Sequence, residues 1–404
     1  MSKRGSLSPS PTVAIIGAGV IGLATAWRLA QRGAKVIVFD KGTAGSGATH
    51  AAAGMLAAHL EAEPREENLV ALNRASQQLW PAFAEELEAA SGLPVDLRTE
   101  GTFLLALTGD DQSRLKHVLA FQKSLGLPLE WLTTAEVRKR EPYLTPTISG
   151  AIFSPQDHQV DNRAVAVALR AAVLKAGVTL RENTPVERIV TSDSRVTGVG
   201  IAGDTIAADV VILAAGAWSR SIDGLPKSVL PPVRPVKGQM LALRMDPRAP
   251  LLSHVVWAPG AYLVPRKDGR LLIGATVEEK GFDTNLTAGG QLALLEATWR
   301  ALPGIEELPI DEMWVGFRPG SRDDAPIIGE SAMPGLVYAT GHYRNGILLT
   351  PITADAIATL VMDGKADPRM NNFSFERFAR LVSRIRSSHD LAAPSGANFG
   401  FQGH

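Results

Sequence analysis

The segment Gly17-Ala-Gly19-Val-Ile-Gly22 constrains this chain more than any other, because of what flanks it. Val13-Ala-Ile-Ile before it is a short apolar run of the kind that forms a buried strand. After it, residues from Val20 to about Arg32 fall at helical spacing, and Lys35-Val-Ile-Val-Phe39 gives a second strand ending at Asp40. Together these make a strand–helix–strand unit of roughly thirty residues. In such a unit Gly17 makes the tight turn, Gly19 lets backbone approach a pyrophosphate, and Gly22 allows close packing of helix on strand. The helix N-terminus at Val20 and Ile21 attracts the phosphates. Asp40, eighteen residues past Gly22, is placed to accept hydrogen bonds from a ribose 2′-hydroxyl and to repel a 2′-phosphate. A bound dinucleotide is expected. The motif alone leaves FAD and NAD both open, and its bland alternative is an ordinary parallel-sheet turn.

Composition narrows the chemistry. Lys plus Arg and Asp plus Glu both number 41, so no general bias toward nucleic acid or an anionic membrane exists. With no cysteine, disulfides, thiolate-bound zinc, iron–sulfur clusters, thiol catalysis and a cysteine-tethered flavin are all excluded. No metal site is expected. Lys3 and Arg4 before an uncharged stretch, with Ala24-Thr25-Ala26, resemble an export signal. The glycine triplet inside that stretch explains it better, so a cytoplasmic protein with no membrane span is expected.

At 404 residues, two domains are the natural expectation. Residues 1–12 read as a loose arm and 387–404 as a flexible tail. Gly42 to Met55 is too rich in Gly and Ala for a normal helix. A helix is predicted from Asn68 to about Ala90, closed by Gly92 and Pro94, and another from Gln112 to Leu125. Asp161 is placed to cap a helix running through Lys175, with Gly177 as its stop. Strands are predicted at 103–107, 210–216, 239–243, 262–265, 270–275 and 336–340, and a helix from Gly346 to Met362. Two late features favour FAD. The apolar run Val210-Val-Ile-Leu-Ala-Ala-Gly216 leads into a glycine, and Gly341-His-Tyr-Arg-Asn-Gly346 precedes a helix whose N-terminus would stabilise an anionic reduced flavin.

Several further segments, taken in order with the fingerprint, are specific: Ala51-Ala-Ala-Gly-Met55, Pro235-Val-Lys-Gly238, Tyr262-Leu-Val-Pro-Arg266, Gly274-Ala-Thr276, Gly316-Phe-Arg-Pro-Gly320 and Gly341-His-Tyr-Arg-Asn-Gly-Ile-Leu348. In these the chain resembles the D-amino-acid oxidase superfamily of FAD-dependent oxidoreductases, and within it the glycine oxidases of thiamine biosynthesis, from about Val13 to Met362. The resemblance implies an α/β (α+β overall) fold, with a Rossmann-like FAD-binding domain and a second, mostly antiparallel β-sheet domain for substrate. The implied division is 13–90, 150–216 and 325–365 for FAD, and 91–149 and 217–324 for substrate. It also implies a noncovalent FAD, a small amino-acid substrate, molecular oxygen as acceptor, and a homo-oligomer, often a tetramer.

By the same resemblance Arg318 holds the substrate carboxylate, the Tyr262 hydroxyl touches it, and Arg344 lies near flavin and substrate. A guanidinium fork pairs with a carboxylate through two parallel bonds, which Lys cannot imitate. Ala53, Gly54 and Met55 match the loop lining the flavin ring, and Val186 a backbone contact at the adenine end. Lys41, Ala48, Thr49 and Gly216 are implied flavin contacts, as are His342, Tyr343, Asn345, Gly346, Ile347 and Leu348. Val277 and Gly260 stand where relatives commonly carry Met and His, so a wider substrate pocket is expected. By residue type alone, Arg318 equally fits a surface loop, Tyr262 simple packing, Arg344 a helix-end neutraliser and Met55 core filler. His50 is expected to be an uncoupled loop histidine.

The implied activity is oxidative deamination of glycine and other small amino acids such as N-methylglycine, D-alanine and D-proline, with hydrogen peroxide as a product. A dehydrogenase passing electrons to a quinone or partner protein, and a flavoprotein subunit of a hetero-complex, are the alternatives.

Overall fold

A computed structural model describes residues 10–378. The expected tail at 387–404 and most of the expected arm lie outside the described residues. Thr12, expected in that arm, begins the first strand.

The first sheet has six strands and is built around the fingerprint. Thr12–Ile16 lies at its centre, parallel to Lys35–Phe39 on one side and to Val210–Leu213 on the other. Thr179–Arg181 extends one flank and Leu336–Thr340 the other, both parallel, and Ile327–Glu330 closes the edge antiparallel. Both faces are covered, which is why these strands read as unbroken apolar runs. Val13, Ile15, Val36, Val38, Val210 and Ile212 face a core shared with the helices Val20–Gln31, Glu67–Ser91, Asn162–Lys175 and Thr350–Asp363. Ala14, Ile16, Phe39, Val211 and Leu213 face the opposite way, against a three-stranded antiparallel sheet formed within residues 186–207.

The second sheet has eight strands and is antiparallel except where Val255–Ala258 runs parallel to Thr102–Ala106. Its longest pairing joins Arg234–Arg244 to Ile310–Gly320, which sets Val236 opposite Arg318 and Gly238 opposite Gly316. On this face a side chain at Gly238 would meet the Arg318 guanidinium, one at Gly316 would meet Ala51, and one at Gly274 would meet Met240 and Tyr262. The three glycines keep the sheet surface open for other groups to lie on it.

Several boundaries differ from expectation. The last helix begins at Thr350, four residues after Gly346, because Pro351 has no N–H and is tolerated only in a first turn. Residues 342–349 instead form turns, with Asn345 N bonded to His342 O and Leu349 N to Asn345 O. The Gly/Ala-rich segment contains a one-turn helix, Ala48–Ala51. The strand Gly150–Ser154, placed with the FAD segments by the expected division, pairs with Thr102–Ala106 in the second sheet. A helix at Ala288–Ala301, capped by Thr287 and with Leu294 and Ala301 in the second sheet's core, is an element not among those expected.

Asp161 caps its helix as expected. One carboxylate oxygen accepts from the N–H groups of Arg163 and Ala164, and the other lies 2.7 Å from Arg270 Nη2. Despite the cost of burial, Arg266, the backbone donors and Arg270 hold its pKa below the usual range. A depressed carboxyl contributes stability that is present above its unfolded pKa and lost as pH falls through the folded one. Asp161→Ala removes both cap and ion pair and should lower stability by about 2 kcal/mol. Asp161→Asn keeps a capping oxygen and should lose less. Thermal unfolding of the two variants beside the parent checks this order.

Candidate active site

One cavity of about 910 Å³ lies between the fingerprint and the second sheet. It is near the upper end of the range for small-molecule sites, about 300–1,000 Å³. Every expected site residue lines it except Gly22. Gly22 instead lies against the Gly17 carbonyl, where any side chain would collide, so it serves the helix–strand contact. Gly17 has φ +108°, and a side chain there would strike the Ala214 carbonyl. That close approach brings the end of Val210–Leu213 beside the fingerprint.

The nucleotide end is built from backbone and one acid. Asp40 accepts from Ala18 N at 2.7 Å through one oxygen and from Gly42 N at 2.9 Å through the other. Each oxygen keeps a lone pair for a further donor, which a ribose hydroxyl can supply. Thr49 Oγ1 accepts from Val20 N at 3.0 Å and so ties the short helix to the fingerprint. Lys41 Nζ sits 3.5 Å from the centre of the Trp218 ring. Val186 is buried and lines this end of the cavity. Gly216 (φ +53°) has open space where a side chain would project. These glycines, the helix N-terminus and Asp40 fit the expected FAD.

His50 does not line the cavity. Burial, then the charge of Arg163, lowers its pKa, and its carbonyl accepts from Asn162 and Arg163. Arg266, fully buried, donates to Ala53 O at 2.7 Å and to Asn162 Oδ1 and Gln159 Oε1 at 2.9 Å, bracing the Ala53–Gly54 turn from behind.

The far end of the cavity gathers three expected residues, Tyr262 and Arg318 from two strands of the second sheet and Arg344 from the 342–349 turns. Arg318 donates to Thr276 O at 3.1 Å and lies beside Tyr262, whose hydroxyl is 3.2 Å from Met240 Sδ. Burial raises the Tyr262 phenol's pKa, and the neighbouring guanidinium opposes that rise. Among the described residues, Arg318 has no carboxylate partner. Arg344 is different. Its Nε lies 2.9 Å from Glu61, and Nη2 lies 3.6 Å from Glu66 and 3.7 Å from Glu63. Burial works against its charge, but the three carboxylates outweigh burial and raise its pKa. Of the two arginines, Arg318 is therefore the one whose charge no described carboxylate offsets. Glu61 was not legible as a site residue, because His-Leu-Glu-Ala-Glu63 reads as a solvated acidic run.

The pocket wall differs in detail from expectation. Val277 lines the cavity but is 65% exposed, so it stands at the mouth rather than deep beside the reacting carbon. A side chain at Gly260 would meet Ala297 of the Ala288–Ala301 helix at 3.2 Å, so part of the expected extra room is closed.

The turn at 342–348 is held to the Arg318 strand by Tyr343 N donating to Pro319 O at 3.0 Å. His342 within it is buried, with Nε2 3.1 Å from Thr353 Oγ1, and burial pushes its pKa down to about 3. The unfolded chain protonates this residue first as pH falls. Stability should therefore drop between pH 6.5 and about 3, by at most roughly 1.4 kcal/mol per pH unit from this group. His342→Gln should flatten the melting-temperature profile over that window. Equal slopes in parent and variant would show that the imidazole is not the source.

Residues 12–360 match the family model for FAD dependent oxidoreductases. Glycine oxidase of Geobacillus kaustophilus is 41% identical over 355 residues, which is 86% of this chain and 92% of that protein. The bifunctional protein ThiO/ThiG of Trichormus variabilis is 38% identical over 374 residues, 92% of this chain. The match spans only 56% of that relative, so the chain corresponds to about half of it. The crystal structure of the Geobacillus kaustophilus glycine oxidase superposes with a TM-score of 0.84 at 39% identity, covering 90% of this chain and 98% of that one. No helix among the described residues is long and apolar enough to cross a membrane. With the fingerprint, the two sheets and the cavity between them accounted for, the chain belongs to the FAD dependent oxidoreductase family, beside proteins named glycine oxidase.

Proposed function

We propose that this chain is an FAD-dependent amino-acid oxidase that deaminates glycine and other small primary or secondary amino acids. The observation that carries the reading is the Arg318–Tyr262 pair, a cavity-lining guanidinium and phenol with no carboxylate of the described chain to satisfy the fork. An amino-acid carboxylate fits there, held by Arg318 with the Tyr262 hydroxyl beside it. Pinning the carboxylate orients the α-carbon toward the Ala53–Met55 loop and the 342–348 turn, which converge on the same cavity. Bound FAD supplies the two-electron acceptor, and the protein supplies position and electrostatics. With FAD held there, oxygen would accept the electrons as hydrogen peroxide, and water would hydrolyse the imino acid to the 2-oxo acid and ammonia or an amine.

The relatives named glycine oxidase and ThiO/ThiG support glycine as a substrate and a place in thiamine biosynthesis. N-methylglycine, D-alanine and D-proline belong to the same proposal, because a mouth residue the size of Val277 excludes little. A cytoplasmic homo-oligomer, a tetramer by resemblance, completes it. So does a division into an FAD unit and a substrate unit along the two sheets, with Gly150–Ser154 assigned to the second.

His50 lies off the cavity and no cysteine exists, so the FAD is noncovalent in this reading. Acid precipitation should release all of the yellow colour into the supernatant; colour retained in the pellet would contradict it. The central test is anaerobic flavin bleaching and aerobic peroxide release with glycine, N-methylglycine, D-alanine, D-proline and the L-forms. Arg318→Lys keeps the charge and loses the fork, and should lower kcat/KM for glycine by roughly 1.5–3 kcal/mol in transition-state binding. Unchanged kcat/KM in this variant would remove Arg318 from the site.

A further inference from the structure

An amino acid arrives at neutral pH as an ammonium ion, yet hydride can leave its α-carbon only when the nitrogen lone pair is free to form the C=N bond. A proton must first go somewhere. The cavity offers few acceptors. Its charged lining residues are Lys41, Arg318 and Arg344 as cations and Asp40 and Glu61 as carboxylates. Asp40 is at the nucleotide end, bonded to the backbone of Ala18 and Gly42. Glu61 is at the other end, close enough to Tyr262 to act on its phenol electrostatically.

The mount of Glu61 is rigid. The two residues before it are pinned by the buried Asp157, which accepts from His59 N at 3.1 Å and Leu60 N at 2.8 Å and contacts His59 Nδ1 at 2.7 Å. Gln122 Nε2 donates to the His59 and Leu60 carbonyls from the other side. The side chain of Glu61 is only 12% exposed. Arg344 Nε lies at charge-contact distance, 2.9 Å from Oε2, but without hydrogen-bond geometry, so that buried oxygen has no hydrogen-bond donor among the described residues.

We propose that Glu61 is the proton acceptor of the reaction, taking a proton from the substrate ammonium before hydride transfer. The proposal rests on the amino-acid reading above. The ammonium N–H bond breaks and a Glu61 O–H bond forms, leaving a neutral amine. Its lone pair then forms C=N as the Cα–H bond breaks, and the hydride passes to bound FAD, the oxidant of the established family. The proton leaves Glu61 toward solvent past Glu63 and Glu66, which share Arg344; Glu63 is 63% exposed.

The surrounding charges suit this task. Burial pushes the Glu61 carboxyl up to about 7, Arg344 opposes the rise, and Asp157, Glu66 and Glu63 add to it. Tyr262, its phenol raised by burial, and Arg318 complete the ring of polar groups. A base poised near the working pH is the most effective kind.

The test is anaerobic flavin reduction by glycine from pH 6 to 10, in parent protein, Glu61→Gln and Glu61→Asp. The parent rate should rise through pH ~7 and then level. Glu61→Gln should be slower by ~10²-fold at neutral pH, and should recover only as pH approaches the amine's own pKa. Glycolate has a carboxylate and no amine, so its binding, read from the flavin spectrum, should change little. Glu61→Asp retains a carboxylate and should keep the rising limb at a reduced rate, which holds even where Glu61→Gln folds poorly. A Glu61→Gln profile parallel to that of the parent overturns the proposal, as does an equal loss of glycolate binding and flavin reduction. If no small amino acid bleaches the parent flavin, the amino-acid reading itself has failed, and Glu61 with it.

Discussion

The rest of the molecule depends on the close backbone approach at Gly17 and Gly22. The first glycine lies against the Ala214 carbonyl and the third lies against the first. Two parallel strands and a helix are thereby drawn together at one point, with the helix N-terminus and the end of Lys35–Phe39 both directed into the same cavity. Any side chain at either glycine would separate these elements. The unbroken apolar run Val13 to Ile16 then buries both faces of the sheet and leaves its C-terminal edge as the open place for a ligand.

Charge is arranged by contrast across the cavity's far end. Arg344 is held by three carboxylates, while Arg318 touches a carbonyl and a phenol. Residue type does not distinguish the two arginines, but their partners do. The same contrast separates the two acids. Asp40 is committed to backbone donors, and Glu61 is buried with an oxygen that no hydrogen bond satisfies.

Much of the first sheet was legible because a buried parallel strand, a glycine turn and a capping residue each leave local marks. The Asp161 cap and the Gly92 stop are cases where one residue's chemistry decides an end. The late helix start was misread because helical spacing outweighed Pro351, although the proline forbids the longer helix. The roles of Arg318 and Tyr262 came from resemblance, since nothing local separates a fork at the end of a strand from a surface loop. Glu61 left no mark at all. The residues just before it are pinned by Asp157 and Gln122, which are far away in sequence, and composition alone places a Glu-rich segment in water. Val277, expected in the pocket wall, does line the cavity, and only the fold shows that it stands at the exposed rim.

The order of strands in the first sheet has a consequence for how the protein is made. Its neighbours Val210–Leu213 and Leu336–Thr340 are separated by most of the second sheet, and the 342–348 turn completes the cavity only after the last strand has paired. A nascent chain on the ribosome can form the fingerprint unit early, but it cannot enclose a cofactor until synthesis has passed that turn. Long-range pairings of this kind are slow to form. FAD binds the completed form and so pulls the folding equilibrium toward it. Cofactor supply during growth should therefore govern how much of the protein survives, as well as how much of it is active.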